Sequence, residues 1–290
     1  MTQSAVRFDQ VSKNYGRQAV LQGIDLEIAA GMTFGLVGIN GAGKTTLIKC
    51  LLDFCHVDDG RIEIFGTRHT DSRARARLAF LPERFMPPYF LTGRDFLTYM
   101  LTLDARVAGE DKVRAMFAAL DLDAAALEQP VRSYSKGMTQ KLGLAACLLA
   151  EPDLLILDEP MSGLDPLARA RVKQLLRNLR EHGRTLFFTS HALSDVEEIC
   201  EHMVVLHRGR LRFSGSPRAL MQSYAPQVSI PLPRSRSTGD GKVPTSSGGP
   251  DLRSPTTSSG GPDLRSPTLG YAEDSMEQAF LKCIESDAHG

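Results

Sequence analysis

The eight residues Gly38-Ile39-Asn40-Gly41-Ala42-Gly43-Lys44-Thr45 carry the strongest chemical signal in the chain. They match G-x-x-x-x-G-K-S/T, a pattern whose glycines let backbone N–H groups curl around phosphate oxygens. In such a loop the lysine reaches the β- and γ-phosphates of a nucleotide and the following hydroxyl ligates Mg²⁺. Lys44 and Thr45 hold those places. A second signal is Leu154-Leu155-Ile156-Leu157-Asp158-Glu159. Four apolar residues ending in two carboxylates set acid groups at the C-terminal edge of a buried strand, where open α/β sheets bind ligands. Seen alone, the pair reads equally well as a solvated strand end. Beside a phosphate loop, it reads as a metal-holding Asp158 and a water-activating Glu159.

Such residues need a frame. Phe34 to Val37 predicts a buried strand leading into the loop, and Thr46 to Leu52 a helix leaving it, with Leu47, Ile48, Leu51 and Leu52 on one face. Leu154 to Leu157 and Leu186 to Phe188 are further apolar strands, and their lack of polar alternation predicts a central sheet covered on both faces. Arg94 to roughly Ala150, rich in Leu, Ala and Met, predicts a mostly helical insertion. Val204 to Leu206 and Leu211 to Phe213, joined through Gly209, predict a hairpin. The class is α/β.

Both chemical signals are shared by many nucleotide-hydrolysing proteins. Ser133-Tyr134-Ser135-Lys136-Gly137-Met138-Thr139-Gln140 narrows the choice. Here the chain resembles the nucleotide-binding family of ABC transporters, whose signature is usually Leu-Ser-Gly-Gly-Gln. Ser135 and Gly137 match it; Tyr134, Lys136 and Met138 depart from it. The resemblance runs from about Val6 to Ser223, with motifs in the family's order: Tyr15, the loop at Gly38, Leu81-Pro82-Glu83, the signature, and Asp158-Glu159. Ser162-Gly163-Leu164-Asp165 then resembles the D-loop, and His191 in Thr189-Ser190-His191 the switch histidine.

That resemblance implies an α/β P-loop NTPase cassette over 1–224: a RecA-like core, an N-terminal antiparallel β subdomain and a helical subdomain at about 90–150. It implies ATP and Mg²⁺. Tyr15 would stack on adenine, Asn40, Gly41, Ala42, Gly43, Lys44, Thr45 and Thr46 would hold the phosphates, and Thr45, Asp158 and Glu83 the metal. Glu159, His191 and Lys44 would carry catalysis, with Ser135 and Gly137 capping ATP held by the opposite subunit of a head-to-tail homodimer or heterodimer. The family usually has glutamine at the Glu83 position; glutamate keeps an oxygen for a metal but adds a charge and loses the amide donor. Lys136 would add a cation beside the partner's phosphates or stand solvated. The implied partner is a separate transmembrane permease, holding the chain peripherally on the inner face of the cell membrane. Tyr134 to Met138 and the terminal Ser275 to Leu281 resemble bacterial ABC-2-type exporter ATPases, which favours export. Phe85 to Phe90 reads either as a surface receiving the permease or as core packing. The alternative, a soluble ABC ATPase acting on ribosomes or DNA, usually shows a second cassette or coiled-coil or zinc-bearing insertions, and the sequence displays neither.

Composition agrees with this frame. The chain has 290 residues, 42% of them hydrophobic, and its 34 basic residues balance 34 acidic ones, so no overall field marks nucleic acid as a partner. No run approaches the roughly 18 apolar residues of a membrane-spanning helix, and the first ten residues do not read as a secretory signal, so a cytoplasmic place is expected. Arg68, Arg73, Arg75 and Arg77 read as a solvated face, and the five cysteines as buried free thiols. Composition shifts after Tyr224: 225–270 reads as a flexible linker, within which TSSGGPDLRSPT occurs twice in tandem, at 245–256 and 257–268. At 271–290, Met276, Ala279, Phe280, Cys283 and Ile284 predict a short amphipathic helix, with Ser275 and Gln278 as its capping box.

Overall fold

The computed structural model describes residues 3–224 and 271–286. The segment expected to be a linker, 225–270, and the four residues after Ser286 lie outside the described residues.

Two sheets and the helices between them form the body. Strands β1 (Ser4–Tyr15) and β2 (Gln18–Ala29) make a long antiparallel hairpin. Then come β3 (Thr33–Val37), α1 (Lys44–Leu51), β4 (Asp59–Ile64), β5 (Thr67–Arg68), α2 (Ser72–Arg75) and β6 (Leu78–Leu81). A helical stretch follows, with α3 (Gly93–Leu103), α4 (Glu110–Ala119) and α5 (Lys136–Leu149). The chain continues through β7 (Leu154–Leu157), α6 (Pro166–Glu181), β8 (Thr185–Thr189), α7 (Leu193–Ile199), β9 (His202–His207), β10 (Arg210–Gly215) and α8 (Pro217–Tyr224). The last described element is α9 (Tyr271–Glu285). One sheet runs β2-β1-β4-β5 and is antiparallel; the other runs β10-β9-β3-β8-β7-β6 and is parallel except for its β9–β10 hairpin edge.

Burial explains the apolar runs. Every residue of β3, β7 and β8 is buried. Along β7 the side chains part by turns: Leu154 and Ile156 join the core shared with α1 and the antiparallel sheet, while Leu155 and Leu157 join the core under the helices. The parallel sheet is thus the middle layer, and the pleat sends alternate residues into separate cores. Helix starts are fixed locally. Thr92 and Asp95 form a reciprocal capping box on α3, and the Asp165 side chain accepts from Ala168 N–H to start α6.

Helix α9 packs against α7, α8 and the β9–β10 hairpin. Met276, Ala279, Phe280 and Cys283 are buried and Ile284 lies against the same core, so the expected apolar stripe is the docked face. The capping box is not where the sequence put it. The helix begins at Tyr271, which leaves Ser275 inside its first turns rather than at its N-terminus. Glu273 and Asp274, residue types favoured in the first turn of a helix, precede the serine in the sequence.

The stretch Phe85 to Phe90 divides. Phe85 packs into the core, edge-on to Phe96 with ring centroids 5.7 Å apart, whereas Met86, Tyr89 and Phe90 are exposed. Of the four arginines near β5, Arg68, Arg73 and Arg77 are exposed as expected and Arg75 is half-buried; Arg73 also pairs with Asp71, Arg75 with Asp53, and Arg77 with Asp153 and the Phe65 ring.

Phe280→Ala should therefore lower unfolding free energy by about 3 kcal/mol, as for a buried aromatic removed from a packed site. Leu281→Ala, at an exposed position of the same helix, should change it by less than about 0.5 kcal/mol. Equal effects in urea unfolding would contradict the docking of this face.

Candidate functional site

The phosphate-loop pattern lies between β3 and α1, and its shape is enforced by what it touches. A Cβ on Gly38 would stand 2.3 Å from the Leu206 carbonyl oxygen, and one on Gly43 would stand 2.9 Å from that of Val20. Gly43 also has φ of 113°, outside the range that L side chains adopt readily. The loop is pressed against both sheets at backbone distance, and its Lys44 folds back over it. Lys44 Nζ donates to the carbonyls of Gly38 (2.6 Å) and Ile39 (3.3 Å). Burial pulls the ammonium below its ordinary pKa, opposed by Glu159, Asp158 and Glu83.

The two acids stand at the end of β7, opposite the loop. Asp158 is buried and accepts a 2.6 Å hydrogen bond from Thr189 Oγ1. Burial raises its pKa, and the Thr189 hydroxyl works against that rise. The same Thr189 oxygen accepts from Glu159 N–H at 3.0 Å, so one hydroxyl at the end of β8 sets both acids. Glu159 has a left-handed backbone, φ 51°, a conformation costly for a side chain this long and held here by its neighbours. Its Oε2 accepts from His191 N–H at 3.2 Å. Its Oε1 is buried, takes no directed hydrogen bond, and lies 3.3 Å from His191 Nε2. Burial raises the Glu159 pKa, with the nearby His191 opposing.

These groups line one cleft of about 280 Å³. Tyr15, Asn40, Gly41, Ala42, Gly43, Lys44, Thr45, Thr46, Glu83, Asp158, Glu159 and His191 all border it. Ser135 and Gly137 do not. Ser135 is exposed and caps α5, its Oγ accepting from Met138 N–H at 3.1 Å. Gly137 packs beside Gly163 of the Ser162–Asp165 stretch.

Four residues escaped the sequence reading. Gln18 and Val20 line the cleft from β2, brought there only by sheet pairing. Thr189 and Asp195 act from behind. Asp195, buried, is paired with Arg169 (2.7 Å) and Lys173 (2.9 Å) of α6, and Ser190 Oγ donates to it at 3.4 Å. That cluster ties α6 to the loop that carries His191. No spacing rule announces a contact between separate elements, although Thr189 could have been suspected from its place beside Ser190-His191.

The donor set suits one kind of metal. An acid, a hydroxyl and the exposed Glu83 offer only oxygens, and Mg²⁺ typically takes one or two carboxylates and completes its shell with water and phosphate oxygens. Glu159 Oε1, which takes no directed hydrogen bond, is a further polar atom in the same cleft. Among the described residues there is no cluster of three or more His, Cys, Asp or Glu that could hold a metal ion.

Thr189→Val should cost about 1–3 kcal/mol of stability, because it strands the half-buried Glu159 N–H and removes the Asp158 donor. Guanidinium unfolding measures it; an unchanged midpoint would show that the shared hydroxyl does not organise the acids.

Comparison with known proteins bears on this arrangement. A sequence profile described as "ABC transporter" matches residues 21–162. The chain is 42% identical over 200 residues, 68% of its own length, to an uncharacterized ABC transporter ATP-binding protein of Synechocystis sp.. It is 36% identical over 230 residues to "Nod factor export ATP-binding protein I" of Paraburkholderia xenovorans, covering 77% of this chain and 74% of that one. The chain spans 56% and 62% of the length of two cyanobacterial relatives. A solved structure titled "Structure of ATP binding subunit of ABC transporter" superposes with a TM-score of 0.70 at 28% identity, covering 76% of this chain and 93% of that one. The chain belongs to the ABC transporter ATP-binding family.

Proposed function

We propose that this chain hydrolyses ATP as one half of a head-to-tail pair and so drives a separate transmembrane subunit. The observation that carries the reading is an incomplete cleft. Lys44, Asp158, Glu159 and His191 line one side of it, while the N-terminus of α5, with Ser135 exposed and Gly137 half-buried, stands elsewhere on the same chain. A helix N-terminus offers free N–H groups and a positive dipole to phosphate. Facing a second chain's cleft, it would supply what each cleft lacks. The pair is a homodimer or a heterodimer with another such subunit.

Within one cleft each residue then has a task. The loop amides from Asn40 to Thr46 and the Lys44 ammonium bind the β- and γ-phosphates, and Tyr15 stacks on adenine. Thr45, Asp158 and Glu83 would hold Mg²⁺, which when bound would supply positive charge beside the phosphates. Glu159 accepts the proton of the attacking water through Oε1, since His191 N–H occupies Oε2. Its raised pKa makes it the stronger base. His191 positions the water and the γ-phosphate. ATP favours the closed pair because it touches both chains only there, and hydrolysis removes that preference.

The relative named for Nod factor export supports export as the direction. The cassette would occupy 1–224, its helical part about 90–150, with 225–270 a linker to the helix in 271–290. Among the described residues no helix is long and apolar enough to cross a membrane. The permease, a separate chain in this reading, would hold this one at the inner membrane face. The exposed Met86, Tyr89 and Phe90 are the surface for that contact.

Glu159→Gln keeps shape and loses the base. Phosphate release should fall by roughly 10²–10⁴-fold while ATP affinity stays near the parent value, leaving an ATP-bound pair visible by light scattering. Hydrolysis at the parent rate would remove Glu159 from its role. Lys44→Ala should instead abolish nucleotide binding, read by equilibrium dialysis.

A further inference from the structure

Two thiols touch just behind the cleft. The sulfurs of Cys50 and Cys55 lie 3.4 Å apart. Local backbone geometry brings them together. Helix α1 ends at Leu51, Asp53 takes a left-handed φ of 61°, and Phe54 and Cys55 N–H both return to the Lys49 carbonyl, at 2.8 and 3.3 Å. The chain doubles back, and Cys55 lands on the last turn of the helix. Cys50 is fully buried; Cys55 is half-buried, in the loop between α1 and β4.

The pair is wired to the cleft. The Tyr15 side chain lies near the Cys55 thiol and near Thr46, and Tyr15 and Thr46 both line the cleft. Lys13 Nζ stands 5.5 Å from the Tyr15 ring centroid, and its charge acts on both sulfurs. Burial and the neighbouring sulfur push the Cys50 thiol up to about 12, so it stays protonated and unreactive alone. Cys55 is the more accessible member of the pair.

We propose that Cys50 and Cys55 form a peroxide-responsive disulfide whose closure withdraws Cys55 from Tyr15 and weakens nucleotide binding. The disulfide stands on the thiol geometry alone; its effect on ATP rests on the function proposed above. The Cys55 thiolate attacks one oxygen of hydrogen peroxide, the O–O bond breaks, and the departing hydroxide takes up the thiol proton and leaves as water. Cys50 sulfur then attacks the Cys55 sulfenic sulfur, the S–O bond breaks, and the Cys50 proton leaves with the hydroxyl as a second water. The thiols together lose two electrons and two protons; one peroxide becomes two waters. A disulfide needs about 2.05 Å between sulfurs, so Cys55 must approach by roughly 1.4 Å. Its loop can supply that movement, while Cys50 is fixed in α1.

The test uses the full chain. Trypsin cuts after Lys49 and Arg61, so both sulfurs fall in peptide 50–61. Reduced protein is exposed to hydrogen peroxide, alkylated and digested, and in parallel its affinity for a fluorescent ATP analogue is measured. The expected result is peptide 50–61 lighter by two hydrogens and free of adducts, with affinity roughly two- to tenfold weaker, the scale of one lost polar contact, and restored by dithiothreitol. Cys55→Ser should show neither change, since serine keeps a hydroxyl toward Tyr15; Cys50→Ala should lose the linkage as well. Both cysteines alkylated after peroxide would overturn the disulfide. The linkage with unchanged affinity, or the same affinity loss in Cys55→Ser, would overturn the switch. If the reduced chain binds no analogue, the nucleotide reading fails instead, while the peptide mass still decides the thiol pair.

Discussion

Three backbone segments meet at one point, and the rest of the site hangs from it. Gly209 N–H, in the turn between β9 and β10, donates to Ala42 O at 3.0 Å, and Gln22 N–H on β2 donates to Gly209 O at 2.8 Å. The phosphate loop, the edge hairpin of the parallel sheet and a strand of the antiparallel sheet are thereby joined without side chains. Approach this close tolerates no Cβ at Gly38 or Gly43. The junction orients the loop and the start of α1, and it sets the β1–β2 hairpin, with Tyr15 and Val20, over the same cleft. Fold and site share one steric requirement.

The acids impose a second, electrostatic requirement. Asp158 and Glu159 are both held in surroundings that resist ionisation, with Lys44 across from them also resisting its charge. Buried opposite charges offset part of one another's desolvation, and the Thr189 hydroxyl offsets more. The arrangement leaves Glu159 Oε1 unsatisfied. Such a group is a local deficit in stability and a ready acceptor for a ligand proton, the usual exchange at a reactive centre.

What the sequence disclosed follows from distance along the chain. The strand at Leu154–Leu157 was legible to the residue because a covered strand has no polar positions to blur it. The loop and the Asp158-Glu159 pair were legible because each is a contiguous motif, and the cleft gathers every residue expected on this chain's own side of a nucleotide. Gln18, Val20, Thr189 and Asp195 were not, since each matters through an element distant in sequence. The Ser275 capping box failed because a short pattern was preferred to the helix-compatible residues before it. The stretch Phe85 to Phe90 divides between the two readings left open for it: Met86, Tyr89 and Phe90 are exposed, and the Phe85 ring is core. Cys50 and Cys55 stand five apart, a spacing with no helical meaning until Asp53 reverses the chain.

The central claim is that each cleft is finished by another chain. The most direct measurement places one spin label by Ile39→Cys, at the exposed edge of the phosphate loop, and another by Lys136→Cys, beside the start of α5, on separate preparations that are then mixed. A short separation between chains, formed on adding MgATP and lost when ATP is withdrawn, is the predicted outcome. Saturating MgATP with no proximity between those two positions would contradict the account.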